Sequence, residues 1–145
     1  MHLKPFETHS TRMQPMYLLT VQLPAENADT IIEHVTTITP LTAGKYDCNS
    51  YETAPGFERY RPGEGAAAGK EEAIRKRPGV VILYFQIEDD EALLANVVEK
   101  IFAVNPYQEP FITVERVLVS RSKGLDDSKN PYRWWNTTGD WKKAS

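Results

Sequence analysis

The chain has 145 residues, of which 26% are charged and 41% apolar, a composition that fits one globular domain and excludes wholesale disorder. Lys plus Arg number 17 and Asp plus Glu 20, a formal charge of -3, which argues against a general nucleic-acid binder because such affinity rests on neutralising phosphates. The single cysteine, Cys48, excludes an internal disulfide and a zinc site built from several thiolates. The longest apolar run, Val80 to Phe85, has six residues, against the ~20 that a membrane-spanning helix needs.

Residues 1–15 read as a leader, punctuated by Pro5 and Pro15 and without periodicity. The opening MHLKPFETHS has no apolar core of the kind a signal peptide carries, so the expected setting is cytoplasmic. His2 and His9 are given no role. Residues 16–23, rich in β-formers, predict a buried strand. Pro24 suits a first helical turn, and Ala28, Ile31, Ile32, Val35 and Ile38 then mark one face of a helix that Pro40 closes. Strand-like residues recur at 46–51 and 57–60, interrupted by Ala54-Pro55-Gly56, as a hairpin or one bulged strand. Residues 61–69 hold three glycines and a proline, which is loop chemistry.

Residues 80–87 are the clearest strand. Glu88-Asp89-Asp90-Glu91 then supplies carboxylates for a helix start, and Leu94, Val97, Val98, Ile101 and Phe102 give a second amphipathic face. Two prolines break that helix in residues 105–110, and residues 111–119 form a last strand. The order β-α-β-β-α-β predicts an α+β, ferredoxin-like sandwich: an antiparallel four-stranded sheet with two helices on one face. The domain is expected over residues 16–120. Residues 121–145 form a tail that turns aromatic at Tyr132, Trp134, Trp135 and Trp141, and all three tryptophans lie in it.

Three segments carry a family resemblance. Gly44-Lys45-Tyr46-Asp47-Cys48-Asn49-Ser50, Tyr60-Arg61-Pro62-Gly63-Glu64-Gly65-Ala66 and Asn105-Pro106-Tyr107-Gln108-Glu109-Pro110 resemble, in order and at compatible spacing, the motifs of the YqfO-type domain found in NGG-interacting-factor-like proteins. The resemblance covers residues 16–119. It implies a CutA/PII-like subunit of a homotrimer, with ligands or metals held in clefts between subunits. The family's histidine is Asn105 here and its first glutamate Gln108, which removes metal-ligand and acid/base capacity but keeps hydrogen bonding.

Within residues 59–77, six cations (Arg59, Arg61, Lys70, Arg75, Lys76, Arg77) face three carboxylates (Glu64, Glu71, Glu72), a net +3. With Gly63, Gly65 and Gly69 this segment can receive a small anionic effector or serve as a connector packed on a neighbouring copy. Tyr107 and Glu109 sit on a proline-stiffened turn that either lines a cleft or simply shapes the chain. The expected ligand-binding residues are therefore Tyr46, Arg59, Arg61, Glu64, Tyr107 and Glu109. No metal-ligand spacing, nucleophile elbow or carboxylate pair is present, so no catalytic residue, metal ligand or cofactor is assigned. Cys48 reads as a small buried thiol. The tail's aromatics read as a docking arm, on this subunit or the next. The expected function is a non-enzymatic trimeric binding or regulatory protein with no nucleic-acid or membrane partner. A divalent-metal-binding, CutA-like protein is the alternative.

Overall fold

The computed structural model describes residues 3–142. Its strands are β1 (Phe6–Glu7), β2 (Thr11–Pro24), β3 (Tyr51–Glu52), β4 (Gly56–Tyr60), β5 (Arg75–Glu88) and β6 (Phe111–Ser122), and its helices are α1 (Ala28–Thr36) and α2 (Glu91–Val104). Every strand pairing is antiparallel: β6 lies beside β2, β2 beside β5, and β3 and β4 pair the far side of β5, while β1 pairs the start of β2. The arrangement is the expected α+β, ferredoxin-like sandwich.

One face of the sheet carries the core. Alternate residues of β2 (Leu19, Val21, Leu23) and β5 (Val81, Leu83, Phe85, Ile87) are buried, and the stripes of α1 (Ala28, Ile31, Val35) and α2 (Val97, Ile101) close over them. Alternation on strands and the 3.6-residue period on helices put these side chains on one side, and each fully buried aliphatic or aromatic contributes roughly 1.5–3 kcal/mol. Asp90 caps α2 by accepting from the Leu93 amide at 3.0 Å. Asn105, restricted by the following Pro106, turns extended and ends it. The hydroxyls of Thr36 and Thr37 donate to the Glu33 and His34 carbonyls as α1 runs out.

The structure corrects several boundaries. The first long strand begins at Thr11, inside the expected leader. Pro15 is tolerated there because Met16 is the last β2 residue paired with β5, so at Pro15 one side of the strand lacks that partner. His2 lies outside the described residues. Residues 46–50 are not a strand. The amides of Cys48 and Asn49 instead donate to the Pro40 and Leu41 carbonyls at 2.8 and 3.1 Å, and Cys48 takes a left-handed φ of 56°. Its thiol is exposed, not buried. The second long strand starts at Arg75, five residues early: β4 and the start of β5 form a hairpin that runs on past the end of β2. Its register shifts between Gly56 and Phe57, leaving Gly79 (φ 79°) as the extra residue of a bulge, a conformation that costs a glycine little. No helix among the described residues is long and apolar enough to cross a membrane.

Candidate functional site

The β4–β5 hairpin sets out the site. Register pairs Glu58 with Arg77 and Tyr60 with Arg75, so these four residues share one face, while Phe57, Arg59 and Lys76 share the other. On the first face the Arg77 guanidinium donates to the Tyr60 hydroxyl at 2.7 Å and lies 5.1 Å from the Tyr60 ring centroid and 5.7 Å from that of Tyr107. Tyr107 comes from the turn after α2, and its hydroxyl donates to the Glu58 carboxylate. One cation thus sits between two aromatic faces, with a carboxylate closing the cluster. Partial burial and the Glu58 carboxylate both hold the Tyr107 phenol neutral, well above its ordinary titration range. Hydrogen bonding to Tyr60 raises the Arg77 guanidinium, which stays charged.

The loop 61–74 is fastened to the same turn. The Ala67 amide donates to the Gln108 side-chain oxygen at 2.9 Å, and the Glu71 amide donates to the Pro62 carbonyl at 3.2 Å. Arg75 closes its base with a two-point contact to Glu71, at 2.7 and 2.9 Å. Gly65, at φ 81°, supplies a bend that a side chain would strain. Inside the turn, Asn105 Oδ1 accepts from the Tyr107 amide at 2.9 Å, whereas its buried Nδ2 has no protein partner among the described residues.

The expected site residues divide. Tyr107 belongs to the cluster. Arg61 and Glu64 are exposed on the loop, Glu109 is exposed on the turn, and Arg59 is exposed on the opposite face of the hairpin. Arg59, Arg61 and Lys70 form no ion pair among the described residues. Tyr46 is not brought to them within the chain. It sits in a tight Ala43–Tyr46 turn near Thr42, whose carbonyl accepts from Arg121, at the opposite end of the sheet. Arg77 and Tyr84, the β5 partner of Tyr51, are themselves seven residues and roughly 23 Å apart. Sequence reasoning missed Glu58 and Tyr60 and took Arg77 only as loop charge. Pairing residues 57–60 with 75–78 as a hairpin would have shown Glu58 opposite Arg77.

Among the described residues no three His, Cys, Asp or Glu side chains gather as a metal ion would require. A separate cleft of about 390 Å³ opens where the tail folds back on the β2 and β6 ends, lined by Ser10, Thr11, Ser120, Ser122, Asp127 and Arg133 among others.

No protein-family model and no curated protein matches the chain. Among solved structures it is similar to a Bacillus cereus protein related to NIF3, with 16% identity and a TM-score of 0.60 over 81% of this chain. The chain spans 28% of that protein's length. It is also similar to the divalent ion tolerance protein CutA1 from Ehrlichia chaffeensis (17% identity, TM-score 0.50, 78% of this chain and 86% of that one). CutA from Synechococcus elongatus gives 17% identity and a TM-score of 0.50 over 82% of this chain and 86% of that one. At these identities the likeness establishes a CutA-like, ferredoxin-like fold and nothing of activity.

Proposed function

We propose that the chain is a non-enzymatic binding or regulatory protein that assembles as a homotrimer and takes a small anionic effector at clefts between subunits. The observation that carries the reading is the loop 61–74: it is held against the 105–110 turn at Ala67 and Gln108, yet leaves Arg61 and Lys70 exposed and unpaired among the described residues, with Arg59 at its base likewise. A fastened loop with uncommitted cations and glycine-freed amides has the donors an anion needs. The resemblance of residues 44–50, 60–66 and 105–110 to the YqfO-type motifs supports the same placement. Tyr46 and Tyr107, far apart in one subunit, would then meet only across a cleft between copies.

Calorimetric titration with inorganic phosphate and with nucleoside mono-, di- and triphosphates tests this. Saturable binding that Arg61→Ala weakens at least tenfold, with the fold intact by circular dichroism, is the expected result. No heat from any of these anions refutes it. The divalent-metal alternative has no ligand set within one subunit among the described residues, so it needs side chains from two copies.

A further inference from the structure

We propose that the cleft of about 390 Å³ between the folded tail and the ends of β2 and β6 is a binding site for a small uncharged saccharide. The site is independent of the anion reading and of the assembly proposed above. Thr11, in its floor, lies eleven strand positions, roughly 36 Å, from Gln22 at the hairpin end of β2.

The floor is the sheet. Alternation puts Thr11 on the face of β2 that carries Leu19 and Val21, and the register sets Ser122 opposite Thr11, with Ser120 one step along that face. Along β2 the residues of that face packed on the core end at Tyr17, and beyond it the tail faces the strands across the cleft. Side chains at these positions stand about 5 Å apart across the strands and about 7 Å apart along β6, the scale of a pyranose ring. The opposite wall is pre-formed. The Asn136 side chain donates to the Asp127 and Asn130 carbonyls at 2.8 and 2.9 Å, and Arg133 pairs with Asp127 at 3.2 Å. A cleft already shaped spares a ligand the cost of ordering it.

The lining decides the ligand class. Its charged side chains are Asp126 and Asp127 against Lys129 and Arg133, which cancel, and Arg133 is already paired with Asp127. A net anion or cation gains little there, because each charge it meets has its opposite close by. What remains is hydrogen-bonding capacity of both kinds. The Ser10 and Ser120 hydroxyls, the Asn130 side-chain N–H groups and the Lys129 ammonium have no protein partner among the described residues. One Asp126 oxygen accepts from the Ser128 amide at 3.0 Å, which holds that carboxyl below its ordinary range and leaves its other oxygen to accept. Free donors and acceptors together match a ligand whose every hydroxyl can both donate and accept. An amino-acid zwitterion would use the charges but leave the serine hydroxyls unanswered. Leu125 adds an apolar patch to the lining, and Tyr132 and Trp134, 88% and 66% exposed, flank Arg133 in sequence. Sugar rings carry C–H faces that pack on such apolar and aromatic surfaces.

All three tryptophans lie in the tail, so intrinsic tryptophan emission reports on it alone. The test titrates the full chain with glucose, galactose, mannose, N-acetylglucosamine and maltose, followed by emission and by NMR amide shifts. The expected result is saturable binding of at least one sugar, with a dissociation constant on the order of 1 mM and shifts centred on residues 120–130. High salt is expected to leave that affinity unchanged, because the ligand carries no charge to screen. Ser120→Leu fills the cleft from the strand side without touching the tail's own hydrogen bonds, and is expected to weaken binding about tenfold. Lys129→Ala breaks no ion pair among the described residues and is expected to weaken it severalfold. No saturable change with any of these sugars overturns the proposal. Saturation by glycine or glutamate but by no sugar overturns the ligand class. Sugar binding that both variants leave unchanged, with circular dichroism also unchanged, overturns the cleft as its seat.

Discussion

Replacing Tyr107 by Phe removes one hydroxyl from the cluster that fastens the 105–110 turn to the hairpin. That hydroxyl donates to the Glu58 carboxylate, and both residues are half-buried. A hydrogen bond to a charged group contributes ~1.5–3 kcal/mol when well buried, and partial solvent access reduces this to about 1 kcal/mol. For a chain of this length that corresponds to a fall of roughly 2–4 °C in Tm. The pH dependence has a definite sign. The folded-state phenol titrates above its ordinary value of 10.0, so folding favours the neutral form. This stabilisation is complete below about pH 10 and declines as the pH rises beyond it. The stability difference between wild type and variant in urea unfolding is therefore expected to be largest near neutral pH and to shrink above about pH 10. Equal stability of the two proteins near neutral pH, or a difference that widens in alkali, would refute the assigned contact.

Other substitutions read other parts of the structure. Phe85→Ala empties the centre of the core and is expected to cost ~3–5 kcal/mol in urea unfolding. Asp90→Ala removes the α2 cap and is expected to cost about 1 kcal/mol, also measured in urea. Gln108→Ala releases the Ala67 amide, whose hydrogen exchange should accelerate while core amides such as that of Val21 keep their protection. The Arg116 guanidinium beside Asp89 holds that carboxyl below its ordinary range, so the pair stabilises above about pH 4 and is lost as pH falls through the lowered folded value. In Arg116→Ala, the Asp89 carboxyl titration followed by NMR is expected to move up toward its ordinary 3.8.

The sheet and both helices were legible where apolar periodicity is strong. Residues 80–87 alternate into a core strand, and Ala28, Ile31 and Val35 repeat at helical spacing. The hairpin was not legible because Arg75-Lys76-Arg77-Pro78-Gly79 carries charge, a proline and a glycine, the marks of a loop. It is held by pairing with β4 and by a bulge at Gly79, both of which join residues distant in sequence. The same blindness hid the site: Glu58, Tyr60, Arg77 and Tyr107 meet only once the hairpin and the turn after α2 are placed in space. Cys48 misled for a local reason, since a small apolar side chain gives no hint that its backbone bends through a left-handed conformation and turns the thiol outward.

Light scattering on the full chain tests the assembly on which the cleft reading depends. A subunit of 16.5 kDa is expected to scatter as a particle of about three times that mass. A mass of one subunit across the accessible concentration range would contradict the account, because Tyr46 and Tyr107 would then have no shared cleft to line.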